Sequence, residues 1–157
     1  MSPNEKVIET FYTAFSRLDY ATMNSCYTQE VAFFDPMFAL LKDDEVRYMW
    51  EMLCKNAKDF TLTFSDITNL DDEYYTCNWV ATYRFSGNNK MITNKIKAHM
   101  RILDGKIVEH SDAFSLHQWS KQALGWVGNL FGWNSFFQRN LRNKARKKLL
   151  KFIQAKQ

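Results

Sequence analysis

The hydrophobic pattern of this 157-residue chain changes from helical spacing to alternation near residue 60, and that change limits the folds the chain can adopt. Up to about residue 56, apolar residues recur mainly at helical spacing, interrupted by one short strand that ends at Asp35-Pro36. From Phe60 to the end of the last predicted hairpin near His117, apolar and polar residues alternate, as they do in strands with one buried face. The order helix, helix, strand, helix and four meandering strands predicts an α+β fold, with helices packed on one face of a curved antiparallel sheet.

Capping residues give the predicted boundaries of the helices. We expect helices from Pro3 to about Arg17, from Tyr20 to Tyr27 and from Asp43 to about Asn56. Ser2 caps the first helix and Asp19 caps the second. A concave sheet covered by such helices encloses a conical cavity that is open at one end, which is a usual form of a small-ligand site.

The predicted hairpin that turns at Asp104-Gly105 carries the residues most suited to acid/base catalysis. Asp-Gly favours a two-residue type I′ turn, because both residues tolerate a positive φ. In that register His99 faces His110 and Lys97 faces Asp112, so both histidines and Asp112 share one face of the sheet. This arrangement predicts a proton-transfer site. A bulged turn would instead move His99 to the convex face, and a solvated polar face is the alternative interpretation.

Composition indicates one folded domain with free thiols. Hydrophobic residues make up 46% and aromatic residues 16% of the chain, which excludes a disordered chain and indicates a large aromatic interior. The three cysteines are widely spaced, so we expect no disulfide and no zinc site. No signal-peptide pattern and no apolar run of roughly 18 residues is present, and we therefore expect a cytoplasmic protein.

Basic residues are concentrated near the C-terminus. Residues 1–112 carry all 17 acidic and 12 of the 21 basic residues, whereas residues 113–157 carry nine basic residues and no acid. An amphipathic helix is predicted there, from about Ser135 to Ala155. We expect it to dock on the acidic main body and expect no contact with nucleic acid. The alternative is contact of residues 136–155 with an anionic membrane surface.

Three tryptophans precede this helix at intervals of seven residues: Trp119, Trp126 and Trp133. Glycines between them indicate short, broken helices. We expect these helices to cover the open end of the cone with the indole rings sealing the core. An aromatic clamp on a ligand is the alternative.

Several motifs resemble those of the SnoaL-like polyketide cyclases and ketosteroid isomerases, members of an α+β cone superfamily that includes nuclear transport factor two. They are the strand end Phe-Phe-Asp35-Pro36 and the hairpin with Asp104-Gly105-Lys106-Ile107, followed by His110-Ser-Asp112-Ala-Phe114. The resemblance covers about residues 4–118. It implies a cystatin-like cone domain over 1–118 and a C-terminal helical extension over 119–157 that packs on the same domain.

The resemblance also implies roles for single residues. Asp35 matches the general base of the isomerases, whereas Phe11 stands where their oxyanion-hole tyrosine would be. The acid of that oxyanion hole is also missing near Ala98 and His99, so ketosteroid isomerisation is not expected. Asp112 matches the acid/base aspartate of the cyclases, and His99 lies near their histidine.

These observations predict that the chain binds a small hydrophobic or polycyclic molecule, with cofactor-independent acid/base chemistry of the cyclase or isomerase type. Asp112 would move the proton and His99 and His110 would orient it, while Asp35 is either a base or a turn residue. No metal or cofactor is expected, and we expect a homodimer formed through the outer face of the sheet. A non-catalytic binding or interaction module is the main alternative. The residues expected to line the pocket are Trp79, Tyr83, Phe114, Phe11 and Trp50.

Overall fold

The computed structural model describes residues 1–157, which form six helices and six strands in an α+β arrangement. The predicted helices near the N-terminus are confirmed to within two residues at each end, and a short strand after Pro36 was not predicted. The helices are α1 (Pro3–Ser16), α2 (Tyr20–Ser25), α3 (Asp44–Asn56), α4 (Leu116–Leu124), α5 (Trp126–Phe131) and α6 (Ser135–Lys156). The strands are β1 (Tyr27–Asp35), β2 (Ala39–Lys42), β3 (Thr61–Asp71), β4 (Tyr74–Arg84), β5 (Met91–Leu103) and β6 (Lys106–Ala113).

The six strands form one curved sheet in the order β2-β1-β6-β5-β4-β3. All neighbours are antiparallel except β1 and β6, which run parallel. Burial alternates strictly along most of β5, where Ile96 and Ala98 are buried and Lys95 and Lys97 are exposed. The helices therefore cover one face of the sheet, and the predicted fold class is confirmed.

Helix α1 supplies the centre of the core. Its start is fixed by a capping box, in which Glu5 N donates to Ser2 Oγ (3.1 Å) and Ser2 N donates to a Glu5 carboxylate oxygen (2.9 Å). Phe11 and Tyr12 are both fully buried, and the ring of Phe15 stacks on Phe60 with 5.2 Å between centroids. Burial of each such side chain stabilises the fold by about 1.5–3 kcal/mol.

The β5–β6 hairpin has the predicted turn but not the predicted register. Asp104 and Gly105 both have positive φ (50° and 74°), and Leu103 pairs with Lys106. The register then shifts at Val108, which is an extra residue on β6, so that Met100 pairs with His110 and Ala98 with Asp112.

The shift at Val108 makes two predicted pairs wrong, His99 with His110 and Lys97 with Asp112. His99 faces the outer side of the sheet and is exposed, whereas His110 and Asp112 are buried on the covered side. The reason is parity: Ile107 and His110 are three residues apart, so both can point inward only if one residue between them bulges.

Helix α6 packs along α3 and across the turn between β1 and β2. Arg142 Nε donates to the carbonyl oxygen of Pro36 (3.2 Å), and Arg146 donates to the carbonyls of Phe38 and Leu40. Lys156, in the last turn of α6, pairs with Glu51 of α3. No helix in the structure is both long enough and apolar enough to cross a bilayer.

Only the first of the three evenly spaced tryptophans seals the core. Trp119 is buried and donates to the Tyr83 hydroxyl (2.9 Å), whereas Trp126 and Trp133 are mostly exposed, contrary to the prediction. The cause is the contact between α5 and α4. A Cβ on Gly128 would lie 1.9 Å from the carbonyl oxygen of Ser120, so the glycine side of α5 faces inward and its large side chains face out.

Candidate functional site

A cavity of about 400 Å³ lies between the covered face of the sheet and helices α3, α4 and α6. This volume is within the usual range of small-molecule pockets. Two carboxyl groups, Asp35 and Asp112, stand in a wall that is otherwise mostly apolar, and exposed cations, including Lys144 and Lys148 of α6, mark the opening. The aromatic lining residues include Phe15, Trp50, Phe60, Trp79, Tyr83, Phe114 and Trp119.

Asp112 lies at the end of a buried chain of hydrogen bonds. Its Oδ1 is 2.9 Å from Nε2 of His110, and Nδ1 of that ring is 2.7 Å from the hydroxyl of Tyr27. The Tyr27 oxygen in turn accepts from Nε1 of Trp50 at 2.9 Å. The register shift on β6 is what brings His110 and Asp112 onto the covered face together.

The hydrogen-bonding groups themselves determine which atom carries each proton in this series of bonds. Because the Trp50 indole can only donate, the Tyr27 oxygen accepts there and its own proton is free to go to His110 Nδ1. A neutral His110 then carries its proton on Nε2 and donates it to Asp112. Trp50, Tyr27 and His110 all have hydrogen-bond partners in this arrangement, which fixes one oxygen of Asp112 against His110.

The second oxygen of Asp112 is available to a ligand. Oδ1 accepts from both His110 and Nε1 of Trp79 (3.3 Å), whereas Oδ2 makes no hydrogen bond within the protein and is not sealed off from the cavity. A carboxylate held on one oxygen and open on the other, inside an apolar wall, can take a proton from a bound molecule or give one to it.

Asp35 is both a turn residue and a cavity residue. Its Oδ1 accepts from the backbone N–H groups of Met37 (2.9 Å) and Phe38 (2.6 Å), which fixes the turn after Pro36. Burial, with a further contribution from the charge of Asp112, raises the pKa of Asp35 from 3.8 to about 7, although the two backbone donors act in the opposite direction. This carboxyl group therefore exchanges its proton near neutral pH.

The predicted lining residues divide into two groups. Trp50, Trp79, Tyr83 and Phe114 line the cavity. Phe11 does not reach it, because its ring packs behind His110 with 5.6 Å between centroids. His99 lies on the opposite side of the sheet, so a site of two histidines and a carboxylate does not form.

Tyr27 belongs to the hydrogen-bond chain of the site, although the sequence did not indicate it. The pattern predicted it as the last residue of the second helix, but it opens β1 and extends its hydroxyl between Trp50 and His110. The hydroxyl of Tyr12 is also buried, close enough to Asp112 for that carboxylate to raise the tyrosine pKa, after a larger effect of burial. No spacing rule in the sequence identifies either position.

Comparison with known proteins places the chain in a family. The model of the SnoaL-like domain matches residues 8–110, whereas no curated protein matches. Among solved structures, IdmH from Streptomyces antibioticus, a candidate polyketide cyclase, has a TM-score of 0.64 at 18% identity, with 76% of this chain and 96% of that chain covered.

Two other solved structures show the same fold. A candidate polyketide cyclase from Xanthomonas campestris has a TM-score of 0.64 at 17% identity, covering 77% of this chain and 96% of that one. A protein of ketosteroid isomerase-like fold from Catenulispora acidiphila, in complex with trimethylamine, has a TM-score of 0.66 at 11% identity, with 74% and 91% covered. The family match spans well over half of the sequence, and the chain thus belongs to the SnoaL-like family.

Proposed function

We propose that this chain binds a small, largely apolar and polycyclic molecule in the cavity and moves a proton on it without a cofactor. The observation that carries the proposal is the open oxygen of Asp112, which faces an aromatic cavity while the other oxygen is held by His110 and Trp79. Such a pocket, apolar with a few fixed polar groups, favours a ligand with fused or linked rings and a carbonyl or hydroxyl group.

The two cavity carboxyls fit complementary roles. Asp112 Oδ2 accepts the proton of an acidic C–H bond, and the electron pair of that bond moves toward the adjacent carbonyl of the ligand. Asp35, which carries a proton for much of the time near pH 7, donates it to that carbonyl oxygen and completes an enol. The enol either takes a proton at another carbon, which is an isomerisation, or attacks a second carbonyl, which is a cyclisation.

Exchange of C–H hydrogens in deuterium oxide tests this step directly. We expect the chain to bind β-tetralone and larger bicyclic and tricyclic ketones, with quenching of the cavity tryptophans, and to catalyse deuterium incorporation next to the carbonyl. Asp112→Asn should lower the exchange rate by about 10²–10⁴-fold with little change in binding.

Two histidine variants, one at a buried and one at an exposed position, provide a matched control. His110→Gln should lower the exchange rate, because Asp112 loses a donor, whereas His99→Gln should leave the rate unchanged, because His99 lies on the outer face. Equal rates in all four proteins, with ligand bound, would contradict the catalytic proposal and leave a non-catalytic binding module. Failure of the whole ketone panel to bind would contradict both.

We further propose a homodimer formed through the outer face of the sheet. Large apolar side chains are half exposed there, around a shallow depression of about 310 Å³ that lies on the opposite side of the sheet from the open oxygen of Asp112. The group comprises Phe34, Leu40, Leu70 and Tyr74. Exposed apolar patches of this kind are typical of interaction surfaces.

A further inference from the structure

The corner where α5 meets α6 exposes a dense group of large apolar side chains. We call it the aromatic corner, and it consists of Trp126, Leu130, Phe131, Trp133 and Phe136. Trp126 is 72% exposed, and Trp133 and Phe136 are each 66% exposed, although the five residues occupy only eleven positions in the chain. Scattered single apolar residues are normal on a surface, but a group of this density marks a contact site.

The structure holds these side chains outward. Gly128 packs so closely against α4 that any side chain there would clash with the Ser120 carbonyl, so the glycine side of α5 faces inward. Asn134 then caps α6, accepting from Phe136 N (2.9 Å) and Phe137 N (3.2 Å), which fixes the turn that carries Trp133. The aromatic corner cannot be buried by a local rotation, because the contacts at Gly128 and Asn134 would have to break.

Unpaired cations continue from the aromatic corner along α6. By helical spacing, Arg139, Lys147 and Lys151 lie on the same outward side as Phe136 and Leu150, and all five are exposed. None of these three cations has an ion-pair partner, in contrast to Lys156, which pairs with Glu51. No acidic residue occurs anywhere in residues 113–157.

We propose that the aromatic corner and the outward side of α6 bind the surface of an anionic phospholipid bilayer. Tryptophan and phenylalanine on a convex corner insert at the boundary between headgroups and acyl chains, where an indole keeps its N–H hydrated. Lys and Arg beside them are attracted to anionic headgroups. A protein partner would need separate sockets for each protruding ring, whereas a fluid bilayer accepts them without a matching shape.

Helix α6 links this surface to the cavity. Lys144 and Lys148, two exposed residues that line the cavity, are on the same helix as the outward cations, so one helix contributes to both surfaces. The membrane proposal does not depend on this link, because it is carried by the aromatic corner and the unpaired cations alone.

Vesicle sedimentation with the full chain tests the proposal. We expect binding to phosphatidylcholine vesicles that contain one-third phosphatidylglycerol, weak binding to pure phosphatidylcholine, and loss of binding in about 1 M salt, where the Debye length is about 3 Å. Trp126→Ser/Trp133→Ser should weaken binding about tenfold or more. Met91→Ser/Leu103→Ser, which removes exposed apolar residues of β5, is the control and should bind like the wild type.

The cations are tested in the same way. Arg139→Gln/Lys147→Gln/Lys151→Gln should weaken binding to anionic vesicles about tenfold or more. The control is Lys6→Gln/Lys95→Gln/Lys97→Gln, which removes the same total charge at exposed positions outside α6. It should weaken binding much less.

Fluorescence locates the contact. Brominated lipids should quench part of the tryptophan emission, and Trp126→Phe/Trp133→Phe should abolish that quenching while retaining binding. The proposal is overturned if the wild type does not bind anionic vesicles, or if the β5 control loses as much affinity as the aromatic-corner variant. Self-association without lipid that is lost in Trp126→Ser/Trp133→Ser would overturn it too, since a second copy would then be the occupant.

Discussion

Asp35 is the residue whose protonation links the site to the stability of the protein. Its pKa is about 7 in the folded state and near 3.8 when exposed, because burial disfavours the carboxylate. The folded state therefore binds this proton more tightly than the unfolded chain does. The contribution of Asp35 to stability is greatest below about pH 4 and is lost as pH rises from about 4 to about 7.

Replacing Asp35 by Asn should remove this dependence. The amide oxygen can still accept from Met37 N and Phe38 N, so the turn is retained. Against the wild type, we expect Asp35→Asn to gain stability as pH rises from about 4 to about 7, up to a limit of about 4 kcal/mol. Urea unfolding at a series of pH values measures this, with Asp104→Asn in the exposed turn as the control. A wild-type stability curve parallel to that of Asp35→Asn would contradict the assignment.

Two buried tyrosines provide a matched pair at the same scale. The Tyr27 hydroxyl bridges Trp50 and His110, whereas the Tyr12 hydroxyl is buried without a partner. Tyr27→Phe should lower the free energy of unfolding by about 1–3 kcal/mol, because two buried groups lose their partner. Tyr12→Phe should be neutral or stabilising, since only an unsatisfied group is removed. Thermal or urea unfolding checks both, and equal effects would refute the hydrogen-bond chain.

At the scale of elements, the alternation of polar and apolar residues along β5 predicts which side chains face outward more reliably than the turn does. Lys95, Lys97 and Arg101 share the face of His99, and Ile96, Ala98 and Met100 share the other, so β5 alone places His99 outside. The predicted turn at Asp104-Gly105 also forms. The error arose between them, because a bulge at Val108 leaves no local signal and is selected by the need to bury both Ile107 and His110.

The absence of a local signal for long-range contacts also explains the other differences between the sequence prediction and the structure. Helix ends and most strands follow from caps and periodicity, which are local. The parallel pairing of β1 with β6 and the outward direction of Trp126 depend on contacts distant in sequence or on the close approach at Gly128. Spacing and glycines predicted short helices with the indole rings sealing the core, but they could not say which side of α5 packs inward.

Gly128→Ala tests the contact that sets the direction of α5. The added Cβ would overlap the Ser120 carbonyl, so α5 must move away from α4. We expect a loss of about 1–3 kcal/mol in the free energy of unfolding, as is usual for overpacking, and a change in the emission of Trp126. Asn129→Ala, at the next and exposed position, should have little effect. A fully stable Gly128→Ala protein would show that the approach is looser than described.

For the whole molecule, the two exposed apolar surfaces lead to different expectations. The outer face of the sheet should give a dimer, and the aromatic corner a lipid contact. Light scattering after size exclusion should report twice the monomer mass, and Leu70→Glu/Tyr74→Glu should yield monomers by placing charge in the interface. Trp126→Ser/Trp133→Ser should leave the dimer unchanged. A monomeric wild type at high concentration would rule out the homodimer.

The pairing of β1 with β6 also governs when the site comes into existence. Tyr27 and His110, which touch in the finished protein, are 83 residues apart, and the arginines of α6 that hold the β1–β2 turn come later still. A chain emerging from the ribosome can form its early helices, the β1–β2 pair and the β3–β4–β5 meander, but β1 cannot join the rest of the sheet until β6 has been made. The cavity can therefore close only after β6 and α6 have been made, and until then part of its aromatic lining has no cover.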